Sequence, residues 1–129
     1  FSLGPEEGCE AHEIGDPVEL REGGLLRDAV LVASDYAAVD AMVIMHSDVR
    51  VAERGIRGLQ AVWHGPVGVW AHAARMIDGA IIHDGAISPA EYAAHVPAWR
   101  DAGATMIGGC CGIGPSHIAE LAPLLAANS

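Results

Sequence analysis

Residues 108–118 read Gly108-Gly109-Cys110-Cys111-Gly112-Ile113-Gly114-Pro115-Ser116-His117-Ile118. The apolar run Ala104-Thr105-Met106-Ile107 precedes them, and from Pro115 a helical pattern runs to about Ala127. Proline is favoured at a first helical position, where a backbone N–H has no partner to lose. The stretch is therefore a strand, a glycine-framed turn and a helix. Adjacent residues on a regular strand point to opposite faces. Cys110 and Cys111 can aim at one point only if the backbone leaves the pleat, and Gly108, Gly109, Gly112 and Gly114 permit that. Two thiolates converging at the carboxyl end of a strand are half a site for a soft metal, zinc above all. The competing readings are two buried structural thiols or a disulfide between neighbours.

Working outward, the same alternation repeats. Leu25, Leu26, Ala29, Val30, Val32 and Ala33 carry helical periodicity over 25–38. Ala41-Met42-Val43-Ile44-Met45 is a continuous apolar run, as expected of a strand buried on both faces. A helix over 49–62 follows, weakened by Gly55 and Gly58. Gly65-Pro66 breaks the chain before a strand at Val67-Gly68-Val69-Trp70-Ala71. Residues 73–87 read as a long loop. Ser88-Pro89-Ala90-Glu91 is a capping box for a helix to about Ala102, with Pro97 expected to kink it or end it early. Residues 4–24, rich in Gly, Pro and acid, read as an irregular loop, and Phe1-Ser2-Leu3 as the tail of a strand. That start, without an initiator Met, is the mark expected of a piece of a longer protein.

Alternating strands and helices mean a parallel sheet. An open doubly wound sheet and part of a (β/α)₈ barrel both fit, and in both, ligands sit beyond the carboxyl ends of the strands. Ser2, His46-Ser47, His72 and Cys110-Cys111 stand at those ends.

Bulk composition narrows the function. The 129 residues suffice for one core. Seventeen acidic against seven basic residues give a net charge of -10, so a basic footprint for nucleic acid or anionic membrane is absent. All seven cations are Arg, which excludes a Schiff-base lysine from this chain. No apolar run approaches the ~20 residues of a membrane helix. Three cysteines, two adjacent, fit a reduced, cytoplasmic setting better than a disulfide framework.

The double-cysteine stretch resembles the C-terminal signature of zinc-dependent homocysteine S-methyltransferases, which include the betaine–homocysteine methyltransferases. Ile87-Ser88-Pro89-Ala90-Glu91-Tyr92, Trp99 and Gly103-Ala104 are similar to the helix before that signature. Gly65-Pro66-Val67-Gly68-Val69-Trp70-Ala71-His72 is similar to the preceding strand and its active-site end. The resemblance covers roughly residues 25–129. It implies that the whole chain, 1–129, is a single partial domain: the last three to four βα units of a (β/α)₈ TIM-type barrel, with a parallel sheet and with 1–24 as a loop region.

The resemblance further implies Zn²⁺ held by three cysteines. Cys110 and Cys111 match two of them. The third belongs at the end of the 41–46 strand, where this chain reads Val43-Ile44-Met45-His46-Ser47-Asp48 and carries no cysteine. Ile44, His46 or Ser47 occupies the slot. With His46 as the ligand, the set becomes Cys₂His with an open position, a recognised catalytic zinc arrangement. Such a site would accept the thiol of homocysteine and direct it onto an activated methyl group, giving methionine. His72 is expected in the substrate pocket, and Gly112 and Gly114 in an anion nest for the substrate carboxylate.

Other residues have plainer expectations. His117 is expected in a supporting or packing role. Cys9 reads as an ordinary loop thiol, and Glu6, Glu7, Glu10 and Glu13 as a solvated face. His64, His83 and His95 read as surface residues, and Trp63, Trp70 and Trp99 as core or helix–sheet packing. The rival to a methyltransferase is a catalytically inactive metal-binding fragment, or a half-barrel that needs a partner chain. Open sheet edges invite a homo-oligomer or association with a missing N-terminal half-barrel. A dithiol redox protein ranks last, because Cys110 and Cys111 lack the Cys-x-x-Cys spacing.

Overall fold

Three parallel strands in the order β1 (Met42–Asp48), β2 (Val67–His72) and β5 (Met106–Ile107) carry the molecule's polar end. In this computed structural model the described residues are 1, 18–20, 23–73, 75–77, 80–82 and 87–126. The expectations for Ser2, Cys9, His83 and the acidic run Glu6, Glu7, Glu10 and Glu13 lie outside them. The helices are α1 (Leu26–Ser34), α2 (Val49–Gln60), α3 (Pro89–Ala93), α4 (Val96–Asp101) and α5 (Pro115–Ala126). The chain is thus α/β with a parallel sheet, as the alternation predicts. Among the described residues no helix is long and apolar enough to cross a membrane.

Strand alternation sorts the side chains of β2. Val67, Val69 and Ala71 join the buried core with Met42 and Ile44 of β1. Gly68, Trp70 and His72 take the opposite face, where Trp70 lies over Gly68 beside Val43. Trp70 therefore packs across the sheet's other face, half-buried, instead of against the helices.

Helix α2 buries Val49, Ala52, Gly55, Ile56 and Leu59, one face at helical spacing. Its glycines serve close packing. A Cβ on Gly58 would stand 3.0 Å from a Val18 methyl and 3.3 Å from one of Leu26. Helix α1 ends at Ser34, four residues short of the expected 38, and the Ser34 hydroxyl donates to the Val30 carbonyl at 2.7 Å. That side chain competes with the backbone at the point where the apolar repeat stops.

The expected helix over 88–102 is two. Its capping box is present: the Ser88 hydroxyl accepts from the Glu91 N–H, and Glu91 accepts from the Ser88 N–H at 2.8 Å. Pro97 then ends the first piece. It has no N–H for the Ala93 carbonyl four residues back, and its ring crowds that carbonyl, so α3 stops at Ala93. Helix α4 closes in a Schellman motif, with Gly103 at φ 110, its N–H on Arg100 and the Ala104 N–H on Trp99. Trp99 is fully buried against Tyr92, ring centroids 5.3 Å apart. Truncating it to Ala would cost about 3–5 kcal/mol.

Two further expectations change. Residues 73–87 are not simply a loop, because β3 (Arg75–Ile77) and β4 (Ala80–Ile82) pair antiparallel within them. The signal was Asp78-Gly79 between two apolar pairs, a hairpin dipeptide. The strand expected from the apolar run at 104–107 is regular only at Met106–Ile107. Its pairing continues through the glycines in looser form: the Gly108 N–H donates to Val69 and the Cys110 N–H to Ala71. On the other edge, the Phe1 N–H group donates to Val43 and the Met45 N–H to Phe1, the bond pattern of a parallel bridge.

Candidate metal centre

Every donor of this site stands at the carboxyl end of a parallel strand. Strand β1 brings His46 through an irregularity. Its register on β2 runs Met45↔Trp70 and then Asp48↔His72, so two residues of β1 oppose Ala71 alone. At this bulge His46 takes φ 53, the one non-glycine residue in the left-handed region among those described. A side chain there is re-aimed relative to the pleat, and such conformations gather at functional sites.

The loop after β5 brings the cysteines. Ladder bonds hold it to β2 from both sides: the Cys110 N–H donates to the Ala71 carbonyl at 3.1 Å, and the Ala73 N–H to the Cys111 carbonyl at 3.2 Å. The chain then turns tightly. The Ile113 N–H donates to the Cys110 carbonyl, and Gly112 has φ 79. A Cβ on Gly109 would collide with the Ile113 side chain. Both thiols consequently point the same way.

The three donor atoms form a triangle. Cys110 Sγ lies 3.5 Å from His46 Nδ1, Cys111 Sγ 3.6 Å from it, and the two sulfurs 3.7 Å apart. Zinc bond lengths of about 2.3 Å to sulfur and 2.0–2.1 Å to nitrogen, at tetrahedral angles, give edges of about 3.8 Å and 3.6 Å. The observed edges agree with that figure to about 0.1 Å. Among the described residues these are the group of His, Cys and acidic side chains whose ligand atoms all fall within 4.8 Å. None of the three is fully buried, so the site is reached by solvent in part. Ile44, an alternative for the third slot, is buried in the core, and the Ser47 hydroxyl donates to the Met45 carbonyl at 3.0 Å.

Electrostatics fit a cation. The neighbouring Cys110 sulfur, as hydrogen-bond partner and as like charge, together with burial, pushes the Cys111 thiol upward. Two thiolates so close repel one another, and a divalent ion offsets that repulsion.

His72 is buried, its ring edge-on to His46 with centroids 5.3 Å apart. Asp48, two residues past His46, caps α2. Its carboxylate accepts from the Arg50 N–H at 2.8 Å and from the guanidinium at 2.7 and 2.9 Å. Burial raises its pKa, but the Arg50 hydrogen bonds and the nearby charge of His72 outweigh this, and the net shift is downward.

Behind the cysteine loop lie two buried polar side chains. The Tyr92 hydroxyl is 2.8 Å from the Gly108 carbonyl and 3.1 Å from that of Ala71. Burial, and secondarily the charge of Cys110, pushes its pKa far above the ordinary tyrosine value. His117 accepts the Gly114 N–H on Nδ1 at 3.1 Å, and its Nε2 meets the Ile87 carbonyl at 3.1 Å. A carbonyl can only accept, so the ring proton is on Nε2. The Gly114 N–H is thereby turned inward to His117, while Gly112 stands at the turn itself.

His117, expected in a supporting or packing role, is buried with both ring nitrogens engaged by the backbone. Tyr92 and Asp48 were missed as site residues. Asp48 had a signal, an Asp immediately before a helix; a tyrosine on a helix announces nothing about its hydroxyl. His64 is exposed as expected, whereas His95 stacks on Trp99 with centroids 5.5 Å apart.

Comparison with known proteins adds an independent line. The sequence profile described as Homocysteine S-methyltransferase matches residues 11–125. Homocysteine S-methyltransferase 3 of Arabidopsis thaliana is 28% identical over 113 residues, which are 85% of this chain and 33% of that protein. The crystal structure of the homocysteine methyltransferase MmuM from Escherichia coli, in its apo form, superposes with a TM-score of 0.63 at 28% identity. The match covers 81% of this chain and 34% of that one. The chain thus spans about a third of the length of the relatives it matches.

Proposed function

Since the chain belongs to the homocysteine S-methyltransferase family, we propose that Cys110, Cys111 and His46 hold Zn²⁺ and serve methyl transfer to homocysteine, giving methionine. The single observation that carries this is the triangle of 3.5, 3.6 and 3.7 Å, whose edges are those of a tetrahedral zinc site. Zinc in that position would supply a Lewis acid that keeps a substrate thiol in its nucleophilic thiolate form at neutral pH. Cys110 and Cys111 contribute two negative charges, and His46 a neutral nitrogen, so the donor set is less anionic than three thiolates. Three protein ligands leave the fourth tetrahedral position for the homocysteine sulfur. That sulfur gives its proton to solvent and forms a bond to the methyl carbon. The bond from carbon to the donor breaks, and its electron pair leaves with the donor. His72 lines the approach to His46, and the turn at Gly112 and Gly114 shapes the floor beside Cys111, with Gly112 the more available of the two to a substrate carboxylate.

The fold of the whole protein would be a (β/α)₈ barrel, of which residues 1–129 supply the last βα units. One observation favours a second reading, a silent half-barrel completed by a partner chain: among the described residues β5 ends the sheet order β1-β2-β5, leaving an edge where another parallel strand would fit.

Elemental analysis of protein purified without chelators, followed by a methyl-transfer assay, separates these readings. One zinc per chain, lost on Cys111→Ser, together with methionine formation from homocysteine and a methyl donor, is the expected result. Zinc without turnover would favour the half-barrel. Absence of zinc with a Cys110–Cys111 disulfide by mass would overturn the proposal.

A further inference from the structure

The Cys110–Cys111 loop is held at both ends by side chains that hydrogen-bond its backbone. Tyr92 reaches from α3 to the carbonyl of Gly108, two residues before Cys110, and to that of Ala71, which also accepts the Cys110 N–H. His117 reaches back from the first turn of α5 to the N–H of Gly114, three residues after Cys111, and ties it to Ile87. The two rings meet edge to face, centroids 5.9 Å apart, and both are buried.

We propose that Tyr92 and His117 are positioning residues forming a two-point staple, which holds both thiols at ligand spacing before any metal arrives. The inference rests on the metal reading for its consequence, though not for its geometry. Free adjacent cysteines on a glycine-rich loop would sample many conformations, because glycine restricts the backbone least. Fixing Gly108 and Gly114 from behind removes that freedom in advance, so metal binding does not have to supply the ordering. Outer partners of this kind typically change metal affinity by about 10–100-fold when removed. The tyrosine carries one O–H, which serves two carbonyls; phenylalanine keeps its ring contacts with Trp99 and His117 and removes only that hydroxyl. Glutamine at position 117 can still accept from Gly114 with its amide oxygen and donate to Ile87 with its amide nitrogen, whereas leucine can do neither.

Hydrogen–deuterium exchange on the metal-free chain and Co²⁺ titration followed by its sulfur-to-metal charge-transfer band test this together. Tyr92→Phe and His117→Leu should speed exchange of the amides of residues 108–114 by about tenfold while leaving α2 as it was. They should also weaken Co²⁺ by about 10–100-fold. His117→Gln should restore both. Equal acceleration in the loop and in α2, which marks general destabilisation, would overturn the staple, as would wild-type Co²⁺ affinity in Tyr92→Phe and His117→Leu. A wild-type chain that takes up no Co²⁺ would defeat the metal reading itself. The exchange comparison, which needs no metal, then decides the staple alone.

Discussion

The end of β1 and the loop after β5 bring candidate ligands to one point by opposite means. The loop relies on glycine: Gly112 takes a positive φ and Gly109 admits Ile113 against the backbone, both without steric penalty. Strand β1 relies on strain, because His46 itself sits at φ 53 in a bulge. A non-glycine residue there costs about 1–3 kcal/mol and persists only when its surroundings impose it. The contrast teaches that a site can be cheap on one side and costly on the other, and that the costly side marks the residue whose direction matters.

Four experiments break or sharpen that contrast. The largest effect belongs to the loop's chemistry: Cys111→Ser should lower metal affinity by more than about 100-fold, beyond the range for outer partners, as read by competition with a chromophoric chelator. Next comes the loop's shape. Gly109→Ala drives a methyl into Ile113, so denaturant unfolding should report a loss of about 1–3 kcal/mol, together with weaker metal binding. For the strained side, the telling comparison is between His46→Gly and His46→Ala. Both should lose metal, but the glycine variant should be the more stable of the two by about 1 kcal/mol without metal, since only alanine keeps a Cβ at positive φ. Equal stability would mean that the bulge is not strained.

The smallest effect is at the foot of the same strand. Asp48 has a pKa below its ordinary 3.8 in the folded chain. Its stabilisation is therefore complete at neutral pH and is lost as pH falls through the depressed folded value. Asn can cap α2 and accept from Arg50, but it carries no charge to pair with the guanidinium. Arg50 is largely exposed, its side chain 67% accessible, so Asp48→Asn should cost only about 0.5–1 kcal/mol at pH 7. Urea melts at pH 7 and pH 2.5 should show the gap closing in acid.

The same contrast governs what could be read from sequence. Local chemistry was legible. Ser88, Pro89 and Glu91 announced the start of α3, Pro97 its end, and the glycines around Cys110 and Cys111 the turn that lets both thiols face one way. The parallel sheet followed from alternation, and His46 was within reach as one of three candidates. What sets His46 apart from Ile44 and Ser47 as a candidate is the two-against-one register of β1 on β2, which depends on the neighbouring strand and leaves no mark in residues 43–48. The hydroxyl of Tyr92 was equally hidden, because its carbonyl partners lie 16 and 21 residues away along the chain. The β3–β4 pairing had its signal in Asp78-Gly79, set between the short apolar pairs Met76-Ile77 and Ala80-Ile81.

X-ray absorption at the zinc edge of the zinc-loaded chain tests the central claim most directly. Two sulfurs at about 2.3 Å and one imidazole nitrogen at about 2.0–2.1 Å are predicted, with the nitrogen shell lost in His46→Ala. A zinc bound without sulfur, or an imidazole shell that survives His46→Ala, would contradict it.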